Sequence, residues 1–248
     1  MDKSETPAGQ ARIEQNSSGA LDVTILAVAS LAATRVSASA NHTRRIQFYA
    51  RALAEQVRKY PHFARELDDD AIHLLFQTAP FHDIGTIGIP DRILLKPGRF
   101  EPHEFEIMKT HTTLGRDAIE QAEQTLGVSG DFLKMAKDMI YSHQERWDGS
   151  GYPRGLVGYD IPLCARLIAV ADVYDALVSS RVYREGMAHP DAFAIIVEGK
   201  GSLFDPDIVD AFVVIEHEFQ EIAERYADAE GDMDRKIDYM ATAIGEDL

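Results

Sequence analysis

The spacing of the apolar residues is the feature that most restricts how this chain can fold. From Leu21 onward, apolar side chains recur every three or four positions, beginning with Leu21, Ile25, Val28 and Leu31. This spacing places them on one face of an α-helix, whereas a half-buried β-strand would alternate apolar and polar residues. The sequence contains no strand-like alternation of useful length. The pattern therefore predicts an all-α fold.

The predicted domain organisation follows from where this periodicity starts and stops. Residues 1–20 are rich in Ser, Gly, Gln and Glu and have no apolar period, which is typical of a disordered tail. One helical domain is predicted over residues 21–226, and a weakly patterned helical tail over residues 227–248. The first helix, residues 21–36, is apolar enough to pack against a neighbouring domain or a second copy. A homodimer formed through this helix is one hypothesis.

Within the domain, the periodicity predicts helices that are separated by two long loops rich in glycine and proline. These loops are residues 85–98 and residues 145–162. A helix over residues 101–126 is expected to break near Gly115. One uninterrupted helix is expected over residues 208–226.

The composition limits the classes of partner and the compartment. The 248-residue chain has a formal net charge of −16, which argues against a broad electrostatic contact with DNA. A small phosphate ligand is compatible with this charge, because bound cations and a few arginines can make one pocket positive. No apolar run reaches the roughly 20 residues that cross a bilayer, so we expect no membrane partner. Cys164 is the only cysteine, which excludes an intrachain disulfide and favours the reducing cytoplasm.

Histidine and aspartate residues at several points of the sequence suggest a metal site. His82 and Asp83 are adjacent where a predicted helix ends, although such a pair alone is a weak signal. Asp172 interrupts a largely apolar helix, so we expect a metal ion, or an arginine such as Arg166, to compensate its charge. Imidazole and carboxylate ligands suit Fe, Mn, Ni or Zn better than Ca or Mg. Further candidates on other predicted helices are His42, His111 and His143.

The order of these residues along the chain resembles that of a known family. The H…HD…D metal signature of HD-superfamily phosphohydrolases is similar to the order His42, His82, Asp83 and Asp172. Residues 82–91 resemble the corresponding segment of HD-GYP domains, the branch that hydrolyses cyclic di-GMP. Residues 151–153 match its Gly-Tyr-Pro motif. The resemblance extends over residues 21–226 and implies an HD-domain helical bundle with a glycine-rich GYP loop.

The resemblance also implies a centre with two divalent transition-metal ions, Fe, Mn, Ni or Zn. The implied ligands of the first ion are His42, His82, Asp83 and Asp172. Asp83 would bridge to the second ion, which would also be held by His111 and His143. The implied catalytic residues are Asp83 and Thr86. Cyclic di-GMP would be opened to linear pGpG, and pGpG cleaved onward to GMP, by an enzyme that holds its substrate with Tyr152, Lys109, Arg181 and Arg184.

Three positions depart from the HD-GYP pattern. Ala38 stands where members with a third metal carry Glu, and Gln144 replaces a histidine that binds the second metal. Thr86 replaces a lysine, and the loss of one such charge-stabilising group often costs about 10²–10³ in rate. We therefore expect two metals at most, a weakened second site and slow turnover.

The same departures support a different class of function. The chain could be a degenerate module that binds cyclic di-GMP, or a protein partner through the GYP loop, without turnover. Hydrolysis of another nucleotide by the HD core is a third hypothesis. Binding without hydrolysis would favour the module, and restored activity in a Thr86→Lys, Gln144→His variant would explain the loss.

Overall fold

The structure is a computed structural model, which describes residues 23–33, 35, 40–179 and 186–228. Within these residues the regular structure is helical, and strand-like pairing is limited to two isolated bridges. The predicted all-α class is confirmed. The helices are α1 (23–33), α2 (Ala40–Val57), α3 (Asp69–Thr78), α4 (Asp91–Leu94), α5 (Pro102–Lys109), α6 (His111–Leu126), α7 (Asp131–Ser142), α8 (Leu163–Val178), α9 (His189–Glu198), α10 (Pro206–Val214) and α11 (Glu216–Arg225).

Helices α2 and α8 form the centre of the hydrophobic core. Ile46, Tyr49 and Leu53 recur every three or four residues along α2 and are fully buried. Helix α8 packs against α2, and it is buried on most of its sides because α7, α9 and α10 also contact it. Since His42 lies on α2 and Asp172 on α8, this packing brings two candidate metal ligands together.

The helix break that we expected near Gly115 is wrong. Helix α5 ends at Lys109 and α6 begins at His111, so Gly115 lies inside α6. A Cβ atom on Gly85 would lie 1.9 Å from the carbonyl oxygen of His111 and 2.6 Å from the backbone nitrogen of Gly115. Both glycines therefore allow the segment after the His-Asp pair to approach α6 closely. This tertiary contact outweighs the low helix propensity of glycine.

The uninterrupted helix that we expected over residues 208–226 is also wrong. The chain turns at Ile215, whose backbone has φ −115° and ψ 19°, between α10 and α11. The turn allows Phe212 and Phe219 to enter the core together, with their ring centroids 4.9 Å apart. Phe219 also stacks on Tyr49, so α11 folds back onto α2.

The two predicted loops contain only short helices. These are a 3₁₀ helix (Ile84–Gly88) and α4 in the first loop, and a 3₁₀ helix (Gly158–Asp160) in the second. The part of the predicted first helix that is described, residues 23–33, is helical. The predicted tail over residues 1–20 lies outside the described residues, as does most of residues 227–248. None of the described helices combines the length and the apolarity that crossing a bilayer requires.

Candidate metal centre

A tight turn after α3 carries the adjacent His82 and Asp83. The pair lies between two short 3₁₀ helices, Ala79–Phe81 and Ile84–Gly88. His82 is buried, whereas the side chain of Asp83 is 35% exposed. The turn therefore directs an imidazole into the protein and leaves the carboxylate next to it open to a ligand.

His42, His82 and Asp172 form the first ligand group, in which one ligand atom of each residue lies within 4.8 Å of the others. The Nε2 atom of His82 is 3.7 Å from Oδ1 of Asp172. The alternative partner that we considered for Asp172 is wrong, because Arg166 forms an ion pair with the buried Asp205 instead. The first group therefore depends on the contact between α2 and α8.

Asp83, His111 and His143 form the second ligand group. The Nε2 atoms of His111 and His143 lie 3.4 Å and 3.2 Å from Oδ1 of Asp83, and 3.4 Å from each other. The other carboxylate oxygen of Asp83, Oδ2, lies 3.7 Å from Nε2 of His82 in the first group. Asp83 therefore stands between the two groups with one oxygen facing each.

Backbone carbonyls orient three of the four histidines in these groups. In each case Nδ1 donates a hydrogen bond of 2.8–3.0 Å to the carbonyl oxygen three residues earlier. The three donor–acceptor pairs are His82 with Ala79, His111 with Met108, and His143 with Ile140. Each imidazole therefore turns its Nε2 atom toward the centre, the arrangement that metal-binding histidines use.

The chemistry of the donor atoms fits metal ions. The Nε2 atom of His82 is buried without a hydrogen-bond partner, although buried polar atoms are nearly always paired. In the second group, two imidazole nitrogens and a carboxylate face one another, an arrangement that a proton or a metal cation between them would stabilise. Donor atoms that share one ion at about 2.1 Å lie about 3.0–3.4 Å apart, close to the spacing of the second group. These residues could therefore hold divalent transition metals.

Electrostatic interactions with histidines of both groups keep the carboxylate of Asp83 charged. Burial alone would raise the pKa of Asp83, but the imidazoles of His82, His143 and His111 hold it well below its usual value. Burial lowers the pKa of His111. It would also lower the pKa of His143, but the neighbouring Asp83 raises that pKa above its usual value. At neutral pH the group is therefore an ionised carboxylate that attracts a proton or a metal cation.

Asp175 is a candidate functional residue that the sequence analysis missed. It is buried on α8, one turn after Asp172, and its Oδ2 atom accepts a hydrogen bond of 2.8 Å from Nδ1 of His42. Arg45 donates to both of its oxygens. Burial alone would raise the pKa of Asp175, but His42 and Arg45 lower it to about 2. The three-residue spacing from Asp172 was the one signal in the sequence that could have identified it.

Two of the predicted substrate-binding residues lie at the edge of the second group. The ring centroid of Tyr152 is 6.3 Å from that of His111. The Nζ atom of Lys109 lies 5.9 Å from the ring centroid of Tyr152 and forms an ion pair with Glu106. The remaining predicted phosphate-binding residues, Arg181 and Arg184, lie outside the described residues.

Thr86, which we predicted to be catalytic, is buried next to the His-Asp turn. Its hydroxyl donates a hydrogen bond of 2.7 Å to the carbonyl oxygen of Asp83. The hydroxyl therefore stabilises the backbone of the turn, and a catalytic role for it stays a prediction. Gln144 directly follows the candidate ligand His143 and is partly buried, whereas Ala38 lies outside the described part of the chain.

Glu145, also missed by the sequence analysis, organises the loop that carries the Gly-Tyr-Pro motif. Its buried carboxylate accepts hydrogen bonds from the backbone nitrogens of Arg154 and Leu156 at 2.8 Å and 3.0 Å. A Cβ atom on Gly151 would lie 2.2 Å from the backbone nitrogen of Arg146. The loop therefore folds back on its own beginning, which places Tyr152 beside the second group.

The curated relatives of this chain are phosphodiesterases by name. A probable cyclic di-GMP phosphodiesterase of Vibrio cholerae is 48% identical over 212 residues, which cover 86% of this chain and 48% of the relative. A cyclic di-GMP phosphodiesterase of Thermotoga maritima is 40% identical over 187 residues, which cover 75% of this chain and 47% of the relative. The chain spans about half the length of the curated relatives it matches.

A solved structure and a family model indicate the fold of this chain. The crystal structure of a cyclic GMP-AMP specific phosphodiesterase of V. cholerae matches with a TM-score of 0.54 and 19% identity, covering 91% of this chain and 59% of that chain. At this identity the likeness shows the fold alone. The family model of the HD domain matches residues 27–208, most of the chain. The family predicted from the sequence is thereby confirmed, and the chain belongs to the HD domain family.

Proposed function

We propose that this chain is a metal-dependent phosphodiesterase that hydrolyses cyclic di-GMP to linear pGpG. The observation that carries the proposal is the position of Asp83 between two ligand groups, with one carboxylate oxygen facing each. Relatives that are 40–48% identical and named as cyclic di-GMP phosphodiesterases support this choice of substrate.

The residues of the chain divide into ligands and substrate contacts. Divalent ions held by the two groups would stabilise the negative charge that develops on the phosphodiester. Asp83 bridges the groups, and the hydrogen bonds at the Nδ1 atoms keep the histidine ligands aimed at the centre. Tyr152 and Lys109 contact the substrate at the rim, and its phosphates are bound by Arg181 and Arg184.

We expect slow turnover because Thr86 brings no positive charge to the reaction. Its hydroxyl is buried and already donates to the carbonyl oxygen of Asp83. Loss of one charge-stabilising group costs about 10²–10³ in rate. Gln144 offers an amide oxygen where an imidazole would bind a metal more tightly, so the second group is expected to bind its ion less tightly.

A second cyclic dinucleotide needs to be tested beside cyclic di-GMP. Three proteins of V. cholerae named as 3′3′-cGAMP-specific phosphodiesterases are 32–35% identical to this chain. The two substrates share both phosphodiester linkages and differ in one base. Selectivity between them therefore depends on contacts with the bases.

The test is a timed digest of both cyclic dinucleotides. Protein purified without oxygen is loaded with Fe(II) or Mn(II), and the products are separated by ion-pair chromatography. We expect the loaded protein to form pGpG, and we expect neither the chelated protein nor an Asp83→Asn variant to do so. A His62→Asn variant is the matched control. His62 is an exposed histidine that pairs with Asp207 and belongs to neither ligand group.

The outcome distinguishes an enzyme from a binding module. Intact cyclic di-GMP after incubation with protein that holds two metals would contradict the proposal. If the same protein bound the nucleotide in equilibrium dialysis, the chain would be a receptor module. Cleavage of 3′3′-cGAMP alone would keep the phosphodiesterase chemistry but change the substrate.

A further inference from the structure

His42 differs from the other three histidines of the centre in what orients its ring. The Nδ1 atoms of the others donate to backbone carbonyls within the same turn of chain. The Nδ1 atom of His42 donates instead to the carboxylate of Asp175, which lies 133 residues later. A backbone carbonyl remains as an acceptor after any side-chain substitution, whereas the carboxylate of Asp175 is removed by substitution. The hydrogen bond that orients the ring of His42 is therefore a tertiary side-chain contact.

Arg45 holds the carboxylate of Asp175 in place. Its Nε atom donates to Oδ1, and its Nη2 atom donates to Oδ2 at 3.1 Å. Ser179 donates a further hydrogen bond of 3.2 Å to Oδ2. Arg45 is itself anchored, because its Nη1 atom donates to the carbonyl oxygen of Tyr226 at 2.8 Å. With both oxygens engaged by a planar guanidinium, the carboxylate cannot rotate away from His42.

Helix α2 presents both interacting side chains to the same carboxylate. His42 and Arg45 lie one turn apart on α2, so a single residue of α8 can contact both. The side chains of Arg45 and Asp175 are only 4% and 2% exposed, which removes competition from water. Asp172, the α8 ligand of the same group, lies one turn before Asp175. The pair of helices thus supplies ligands and their support from adjacent turns.

An ionised carboxylate determines which nitrogen of His42 carries the proton. Because a carboxylate only accepts hydrogen bonds, it keeps the proton on Nδ1 and leaves Nε2 as the ligand atom. An amide in its place could turn its NH₂ group toward Nδ1 and favour the proton on Nε2. Nε2 of His42 would then have no lone pair to offer a metal, although the amide side chain at position 175 is the same size as the carboxylate.

We propose that Asp175, held by Arg45, is a positioning residue that sets the metal affinity of the first ligand group. This inference rests on the proposed function, because it requires that both groups bind metal. Loss of such a supporting carboxylate typically lowers metal affinity about 10–100-fold. The second group has backbone support for both of its histidines, so its affinity is expected to stay unchanged.

The test measures bound metal rather than activity. Metal equivalents are determined by elemental analysis after anaerobic loading and desalting, and affinities by competition with a chelator. We expect two equivalents for the wild-type chain and close to one for Asp175→Asn. In a His111→Ala background, which disables the second group, Asp175→Asn is expected to remove the remaining equivalent.

Asp205→Asn is the matched control. Asp205 forms a buried ion pair with Arg166 of α8, and neither side chain is more than 6% exposed. Like the pair of Asp175 and Arg45, it joins an arginine and a carboxylate. Both variants are expected to lower the melting temperature, but Asp205→Asn should retain two metal equivalents. If Asp175→Asn does not fold by circular dichroism, Arg45→Lys replaces it. Lysine keeps the charge but not the two-point contact, and a smaller loss at the same group is expected.

Each result decides between the alternatives. Unchanged metal content in the folded Asp175 or Arg45 variant would overturn the inference and leave the proposed function intact. Equal metal loss in Asp205→Asn would assign Asp175 a purely structural role and also overturn it. A wild-type chain that binds no metal would refute the proposed function, together with this inference.

Discussion

The phenol of Tyr152 lies close to both ligand groups. Burial raises its pKa, and the charges of Asp83 and Asp172 raise it further, so the hydroxyl is protonated at neutral pH. The ring of Phe105, at a centroid separation of 5.9 Å, borders it on the outer side. A protonated hydroxyl at this place can donate a hydrogen bond to a phosphate oxygen of a substrate.

We predict that Tyr152→Phe lowers kcat/KM for cyclic di-GMP without changing the metal content. A hydrogen bond to a charged acceptor contributes about 1.5–3 kcal/mol, so a loss of about 10–100-fold is expected. Tyr159→Phe is the control, because Tyr159 lies in the same loop but is 65% exposed. Equal initial rates for wild type and Tyr152→Phe would show that the hydroxyl does not contact the substrate.

At the scale of elements, the second ligand group depends on how closely the 3₁₀ helix Ile84–Gly88 approaches α6. The nearest atoms to a Cβ on Gly85 belong to the backbone of α6, including the carbonyl oxygen of His111. Backbone atoms cannot move aside as a flexible side chain can. Any side chain at this position therefore separates Asp83 from His111.

We predict that Gly85→Ala destabilises the fold and weakens the second metal site. Overpacking of this kind costs about 1–3 kcal/mol, which should appear as a lower midpoint of denaturant unfolding. Gly130→Ala is the control, since a Cβ atom there would meet nothing within 4 Å. Metal counting should show one equivalent fewer for Gly85→Ala only. A Gly85 variant as stable and as metal-rich as wild type would contradict the observed contact.

At the scale of the whole molecule, charge and apolar surface make helix α1 a candidate site for contact between copies. A net charge of −16 favours overall electrostatic repulsion between copies of this chain. Helix α1 contains no charged residue between positions 23 and 33. Its Ile25 and Ala29 are buried, whereas Val23 and Val28 on the other side are 68% and 37% exposed.

We therefore predict that a second copy of the chain covers the exposed side of α1, in a dimer. Val28→Asp places a charge in this contact and should shift the mass measured by light scattering from dimer to monomer. Val214→Asp is the control, because Val214 is 65% exposed on α10 and should leave the dimer intact. A wild-type mass equal to that of one chain would rule out this arrangement.

The helical class and the candidate ligands could be read from the sequence because both depend on local or chemical rules. The spacing of apolar residues indicates that a segment is helical, and this signal does not depend on which other segments the helix packs against. Transition metals accept few side-chain types, so the histidines and aspartates of the centre stood out by their chemistry and order. The HD domain family could be predicted because residues 82–91 and 151–153 resemble the motifs of a known family.

Only the tertiary structure decided how those residues are arranged. It placed Asp83 between the two groups, paired His42 with Asp175, and kept Gly115 inside a helix that was expected to break. It also turned the chain at Ile215. Each of these features depends on contacts between segments that are far apart in the chain, and no local pattern of residues encodes such contacts.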